Sequence, residues 1–196
     1  MPLQNRVLPD GKIVADPARG TLTGNRGCLH DGDRRIVRRW TTHAWIACRL
    51  EWKGVRRVPM TPGRWTELFF LDEAVALSAG HRPCACCRRA DYNRFRAAWA
   101  AAFGAVVRAP EMDAVLHKAR TGAPERLPVD DLPDGAFLRT DSGPALLWRG
   151  LAHPYRPDGY GEGTAVSGPV EVLTPAPMRA VLTAGYRLMP QPSLAG

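Results

Sequence analysis

Three cysteines fall within four consecutive positions, Cys84-Ala85-Cys86-Cys87, behind Gly80-His81-Arg82-Pro83 and ahead of Arg88-Arg89. Two cysteines at i and i+3 let a tight turn aim both sulfurs at one ion, and a structural zinc draws its four ligands from two distant segments. The knuckle is therefore half of a metal site. It obliges a segment far away in the chain to fold back onto Cys84 and Cys87, and that requirement constrains the fold more than any hydrophobic pattern does. The chain has five cysteines, an odd set with three clustered, which points to metal or thiol chemistry rather than to a disulfide framework.

Two segments compete to complete the site. In Gly27-Cys28-Leu29-His30-Asp31, an extended backbone would turn Cys28 and His30 to one face, where both could chelate the same ion. The alternative is Cys48. It lies on an expected strand over 43–53, sharing a face with Ile46, Leu50 and Trp52, where a thiol packs as a small buried hydrophobe. Cys86 is the spare thiol of the knuckle, and the arginines beside it would favour a thiolate.

With 27 Lys+Arg against 19 Asp+Glu, the formal charge is +8, and basic surface attracts phosphates at long range. The expected nucleic-acid contacts are Arg34, Arg35, Arg38 and Arg39, with Trp40 able to stack on a base, together with Arg88 and Arg89 around the knuckle. The abundance of arginine over lysine, and of alanine, would also follow from G+C-rich coding. No apolar run of about 18 residues occurs and Met1-Pro2-Leu3-Gln4-Asn5-Arg6 lacks an apolar stretch, so a cytoplasmic protein without a membrane partner is expected.

The remaining pattern predicts an α+β chain: a small antiparallel sheet carrying a zinc knuckle and flanking helices, followed by a small β-rich unit. Residues 1–23 read as an irregular lead-in, 24–104 as the metal-binding module, 105–135 as a helical and proline-rich connection, and 136–196 as the β unit with a final helix. Within the module, a strand over 65–71 precedes a short helix capped by Asp72 and stopped at Gly80. Behind the knuckle, Tyr92, Phe95, Trp99 and Phe103 recur at helical spacing as a core face. Farther on, Asp113 and His117 are spaced i,i+4, a candidate carboxylate–imidazole pair. The loop over 154–160, rich in proline and tyrosine, is a candidate recognition surface.

The run Phe69-Phe70-Leu71-Asp72-Glu73-Ala74-Val75-Ala76-Leu77-Ser78-Ala79-Gly80-His81-Arg82-Pro83-Cys84-Ala85-Cys86-Cys87-Arg88 resembles the zinc-binding module of the bacterial Ada methylphosphotriester repair family. In that family a strand ending in aromatics, an alanine-rich helix and a G-(F/Y/H)-R-P-C-x-x-C-R knuckle occur in the same order. The resemblance, which extends over about residues 24–100, implies a bacterial DNA-binding protein with zinc held by Cys28, His30, Cys84 and Cys87. Where the family carries Cys-x-x-x-Cys or His-x-x-x-Cys, this chain carries Cys28-Leu29-His30-Asp31. Cys48 is the substitute if Cys28 is not used, and transfer of a methyl group to cysteine is not expected.

Other chemistries are weighed by what they lack. Pro83-Cys84-Ala85-Cys86-Cys87 matches half of a nucleobase deaminase motif, but His43-Ala44-Trp45 puts tryptophan where the proton-shuttling glutamate belongs. A three-ligand metal with Asp113 or His117 as proton carrier would make a small-molecule metalloenzyme. A closed metal site without either activity would make a structural-zinc interaction domain.

Overall fold

The computed structural model describes residues 1–54 and 58–188. Residues 189–196 of the expected C-terminal unit lie outside the described residues. In chain order the elements are β1 (Gln4–Val7), β2 (Ile13–Ala15), β3 (Leu22–Asn25), β4 (Ile46–Arg49), β5 (Leu68–Phe70), α1 (Glu73–Ser78), β6 (Arg82–Pro83), α2 (Arg89–Phe103) and α3 (Ala109–Arg120). They are followed by β7 (Glu125–Pro128), β8 (Phe137–Thr140), β9 (Gly143–Trp148), β10 (Leu151–Arg156), β11 (Gly159–Tyr160), β12 (Pro169–Val172) and α4 (Ala176–Thr183). The fold is α+β, with two six-stranded sheets ordered β2-β1-β5-β3-β4-β6 and β11-β10-β9-β8-β12-β7.

The first sheet departs from the antiparallel expectation at two places. β1 pairs parallel with β5, and β4 pairs parallel with β6. Residues 1–23, expected to be irregular, supply β1, β2 and the start of β3. A short strand is legible at 12–14 and corresponds to β2, but β1 and β3 escape sequence pattern because polar side chains take some of their inward positions. Arg6 is buried with its guanidinium on the Ala18 carbonyl, and Thr23 is buried with its hydroxyl donating to the Leu68 carbonyl at 2.9 Å. β4 ends at Arg49, so Leu50 and Trp52 are exposed rather than part of a buried strand face.

The short helix α1 forms where the Asp72 side chain accepts from the Val75 amide at 3.0 Å, and all six of its residues are buried. Gly80 closes it with φ +82°, a left-handed conformation that a side chain disfavours. This turn drops the chain directly into β6. On α2, Tyr92, Phe95 and Trp99 face the core, while Phe103 is half-exposed against Trp99 at 4.7 Å. The main core joins the two halves of the chain. Phe70, Leu77, Phe95 and Leu116 pack in the same cluster as Phe137, Leu146, Met178 and Val181. A smaller cluster around Leu138, Leu147 and Val172 backs the second sheet.

Buried ions fix how these parts meet. Glu73 on α1 accepts from Arg88 Nη2 at 2.5 Å and from the Tyr186 hydroxyl at 2.7 Å, while Arg88 Nε donates to Asp91 at 2.9 Å. In the 154–160 segment, read as a recognition loop, both tyrosines turn inward while Arg156 and Asp158 stay exposed. Tyr160 is buried and donates to Asp72 at 2.8 Å, and Tyr155 packs edge-on to Phe137 at 6.1 Å. Removing one partner of a buried ion pair strands the other charge. Glu73→Ala is expected to cost about 3 kcal/mol of stability, near the low end of that effect because Asp91 still neutralises Arg88. Urea unfolding measures it, and a loss under about 1 kcal/mol, the size of a surface pair, would contradict the assigned role.

Candidate metal centre

The register of β4 against β6 builds the centre. Ile46 lies opposite Arg82 and Ala47 opposite Pro83. The Cys84 amide continues the ladder by donating to the Ala47 carbonyl at 2.9 Å. One step farther along both chains, Cys48 meets Cys84, and in a parallel ladder such neighbours project to the same side at about 4.8 Å spacing. The knuckle then folds Cys87 back to join them. The three sulfurs of Cys48, Cys84 and Cys87 lie within 4.8 Å of one another, with Cys84 and Cys87 buried and Cys48 half-buried. Tetrahedral thiolates around zinc, each at about 2.3 Å, would stand roughly 3.8 Å apart, so closing on an ion needs only a contraction of about 1 Å.

Backbone amides already point at the sulfurs. The Cys86 amide donates to Cys84 Sγ and the Arg49 amide to Cys87 Sγ, each at 3.4 Å. Such bonds favour thiolate over thiol. The hydrogen bond from Cys48 pushes the Cys84 thiol down to about 4, and the same bond raises Cys48. Burial raises Cys87. A metal that takes all three sulfurs as thiolates displaces their protons. Cys86 is exposed and lies outside the group.

The knuckle runs straight into α2, where the Arg88 amide donates to the Cys84 carbonyl at 3.1 Å. Arg88 is buried in its pairing with Glu73 and Asp91. It therefore anchors the knuckle and is withdrawn from the phosphate-facing set. Arg34, Arg35, Arg38, Arg39 and Arg89 are exposed. Trp40, expected as a stacking platform, is half-buried and packs edge-on against His117 at 5.1 Å.

Cys28 and His30 are placed elsewhere. His30 is buried, with Nδ1 2.6 Å from the Thr66 hydroxyl and Nε2 3.1 Å from the Thr61 carbonyl. Because Thr66 Oγ1 accepts from the Leu29 amide at 2.8 Å, its proton goes to Nδ1, and Nε2–H donates to Thr61. Both ring nitrogens are occupied. Cys28 is half-buried with its thiol 3.8 Å from the His30 carbonyl. Among the described residues, the sulfurs that gather are those of Cys48, Cys84 and Cys87.

The Asp113–His117 pair does not form. Asp113 accepts from Arg82 Nε and Nη2, both at 2.8 Å, in a buried bidentate bond. His117 instead stacks on His43 with ring centroids 3.9 Å apart, its Nδ1 3.0 Å from Arg120 Nη2. No sequence motif marks a further group, in which Arg26, Arg120 and His81 surround Trp45. Its members come from four separated segments and match no motif spacing. No protein-family model, curated protein or solved structure matches the chain.

The geometry separates the two ligand segments experimentally. Cys48→Ser is expected to abolish stoichiometric zinc in the purified protein, whereas Cys28→Ser and His30→Asn retain about one equivalent. Elemental analysis of the three variants gives the answer. Zinc lost from either of the latter two while their fold persists would move the centre to the 28–30 segment.

Proposed function

We propose that the protein is a zinc–thiolate protein in which Cys48, Cys84 and Cys87 hold the ion, and that it binds nucleic acid through its exposed arginines. The convergence of the three sulfurs carries this reading. A soft, all-sulfur donor set suits zinc over hard cations such as magnesium or calcium. The resemblance of residues 69–88 to Ada-like modules supports the same metal, with Cys48 as the third sulfur. A metal here ties β4 to the start of α2, so its first effect is on folding. Chelation is expected to lower the thermal midpoint by about 5 °C or more, a shift that corresponds to a few kcal/mol in a chain of this size, and added zinc to restore it. An unchanged midpoint after verified metal removal would exclude a structural role.

Arg34, Arg35, Arg38, Arg39 and Arg89 are the candidate phosphate contacts. If four of them each neutralise one phosphate of a duplex, log affinity falls with log salt at a slope of about −3 to −4. Fluorescence anisotropy with duplex and single-stranded oligonucleotides across a salt series measures it. The absence of binding at low salt, or a flat dependence, rejects the nucleic-acid part while leaving the metal centre intact.

The three-sulfur count favours a second reading, in which the fourth metal position accepts water or a small molecule. That reading needs a proton carrier, and Asp113 is locked to Arg82. Cobalt substitution distinguishes the two, because an open position changes its visible spectrum on adding a small anionic ligand.

A further inference from the structure

A cavity of about 840 Å³ opens between the β1–β2 turn, the C-terminal half of α3 and the segment leading into α4. Its volume falls within the range of small-molecule sites. Three carboxylates line it, and each is already matched. Asp10 pairs with Lys12 at 3.0 Å, Glu171 with Arg139 at 2.9 Å, and Glu125 with Arg179. Four further cations line the same space: Arg26, Arg39, Lys118 and Arg120. Among the described residues, no carboxylate lies within ion-pair distance of any of the four. The Asp113 carboxylate nearest in effect to Arg120 is bound to Arg82.

Two of these cations are held in a way that leaves donors unmatched. The Arg26 and Arg120 guanidiniums sit 3.9 and 3.8 Å from the centroid of the Trp45 ring. Two groups so close to one centroid must take its opposite faces, so Trp45 is sandwiched. Arg26 is only 3% exposed. Its Nε donates to His81 Nε2 at 3.2 Å and its Nη1 to the Gly11 carbonyl at 3.0 Å, while buried Nη2 has no partner. Arg120 donates to the carbonyls of Gly80 at 2.9 Å and His43 at 2.7 Å, and its buried Nε has no partner. Backbone carbonyls satisfy geometry but bring no negative charge. Burial lowers both guanidiniums to about 9; the neighbouring Arg120 and Arg39 push Arg26 further down, whereas for Arg120 the Asp113 carboxylate partly offsets the effect of burial. A buried charge without a counter-charge is costly, so an anion that reaches it is favoured by neutralising it.

We propose that this cavity binds a small molecule bearing a phosphomonoester group, which neutralises the Arg26–Trp45–Arg120 sandwich while Arg39 and Lys118 meet it from the exposed side. A doubly charged oxyanion matches four unpaired cations better than a monocarboxylate does. The depth of Arg26 selects a small molecule over a polymer, whose continuous backbone would stop at exposed Arg39. The cavity is separate from the thiolate centre. Trp45 and Cys48 lie three residues apart on one extended segment, roughly 10 Å, so both sites rest on the same edge without sharing a residue.

Calorimetric titration of the full-length, zinc-loaded protein with inorganic phosphate, glycerol 3-phosphate and acetate tests the proposal. Saturable binding of the two phosphates at about 1 mM or tighter, with acetate much weaker, is expected. Arg39→Ala combined with Lys118→Ala, both at exposed positions, should weaken phosphate about tenfold or more, the equivalent of one charge-assisted bond. Arg156→Ala, outside the cavity, should leave it unchanged. Arg26→Met should remove binding, and if that variant does not fold the double variant still decides. No saturable phosphate binding, acetate as tight as phosphate, a double variant that binds like the parent, or binding confined to oligonucleotides would each overturn it.

Discussion

The parallel pairing of β4 with β6 is the contact on which the rest of this structure depends. Two residue pairs, Ile46 with Arg82 and Ala47 with Pro83, set a register that brings Cys48 beside Cys84 at one end. At the other end the Arg82 amide donates to the Trp45 carbonyl at 3.1 Å, fixing Trp45 beside the His81 ring. So short an edge strand has little hydrogen-bonding capacity of its own. Gly80 delivers it from α1, and Arg88 receives it at α2 through the buried bond to Glu73. A metal bridging Cys48 to the knuckle would clasp the same two strands by a bond far stronger than the ladder.

Two pairs of arginines around this edge are held in different ways. Arg82 and Arg88 are each met by a buried carboxylate, Asp113 and Glu73, with good geometry. They hold helices α3, α1 and α2 to the edge strand, and their charge is cancelled in place. Arg26 and Arg120 are held just as firmly by carbonyls and the Trp45 ring, yet no acid answers them among the described residues. The same physics that makes the first pair supports the second as a receptor for charge brought from outside.

The sequence disclosed elements wherever local chemistry was strong. The Asp72 cap, the glycine stop at Gly80 and the aromatic face of α2 are all found close to their expected places. The closeness of Cys84 and Cys87 was legible because a turn brings two sulfurs together without help from the rest of the chain. The third sulfur beside them was not, since placing Cys48 there rather than Cys28 or His30 depends on a parallel register between segments 36 residues apart, and no local pattern encodes register. His30 looked like a ligand by spacing, but Thr66 and Thr61 occupy its nitrogens, a fact visible only once β5 and its approach are placed. β1 and β3 were hidden for a related reason, since Arg6 and Thr23 take buried positions through hydrogen bonds and leave too few apolar side chains, Val7 among them, to mark a pattern.

X-ray absorption at the zinc edge of the purified protein tests the central claim most directly, because it counts the sulfurs and recognises imidazole. The account predicts three sulfurs at about 2.3 Å and one lighter ligand, without the multiple-scattering signature of histidine. A shell containing imidazole, or a protein that takes up no metal at its thiolates, would contradict it.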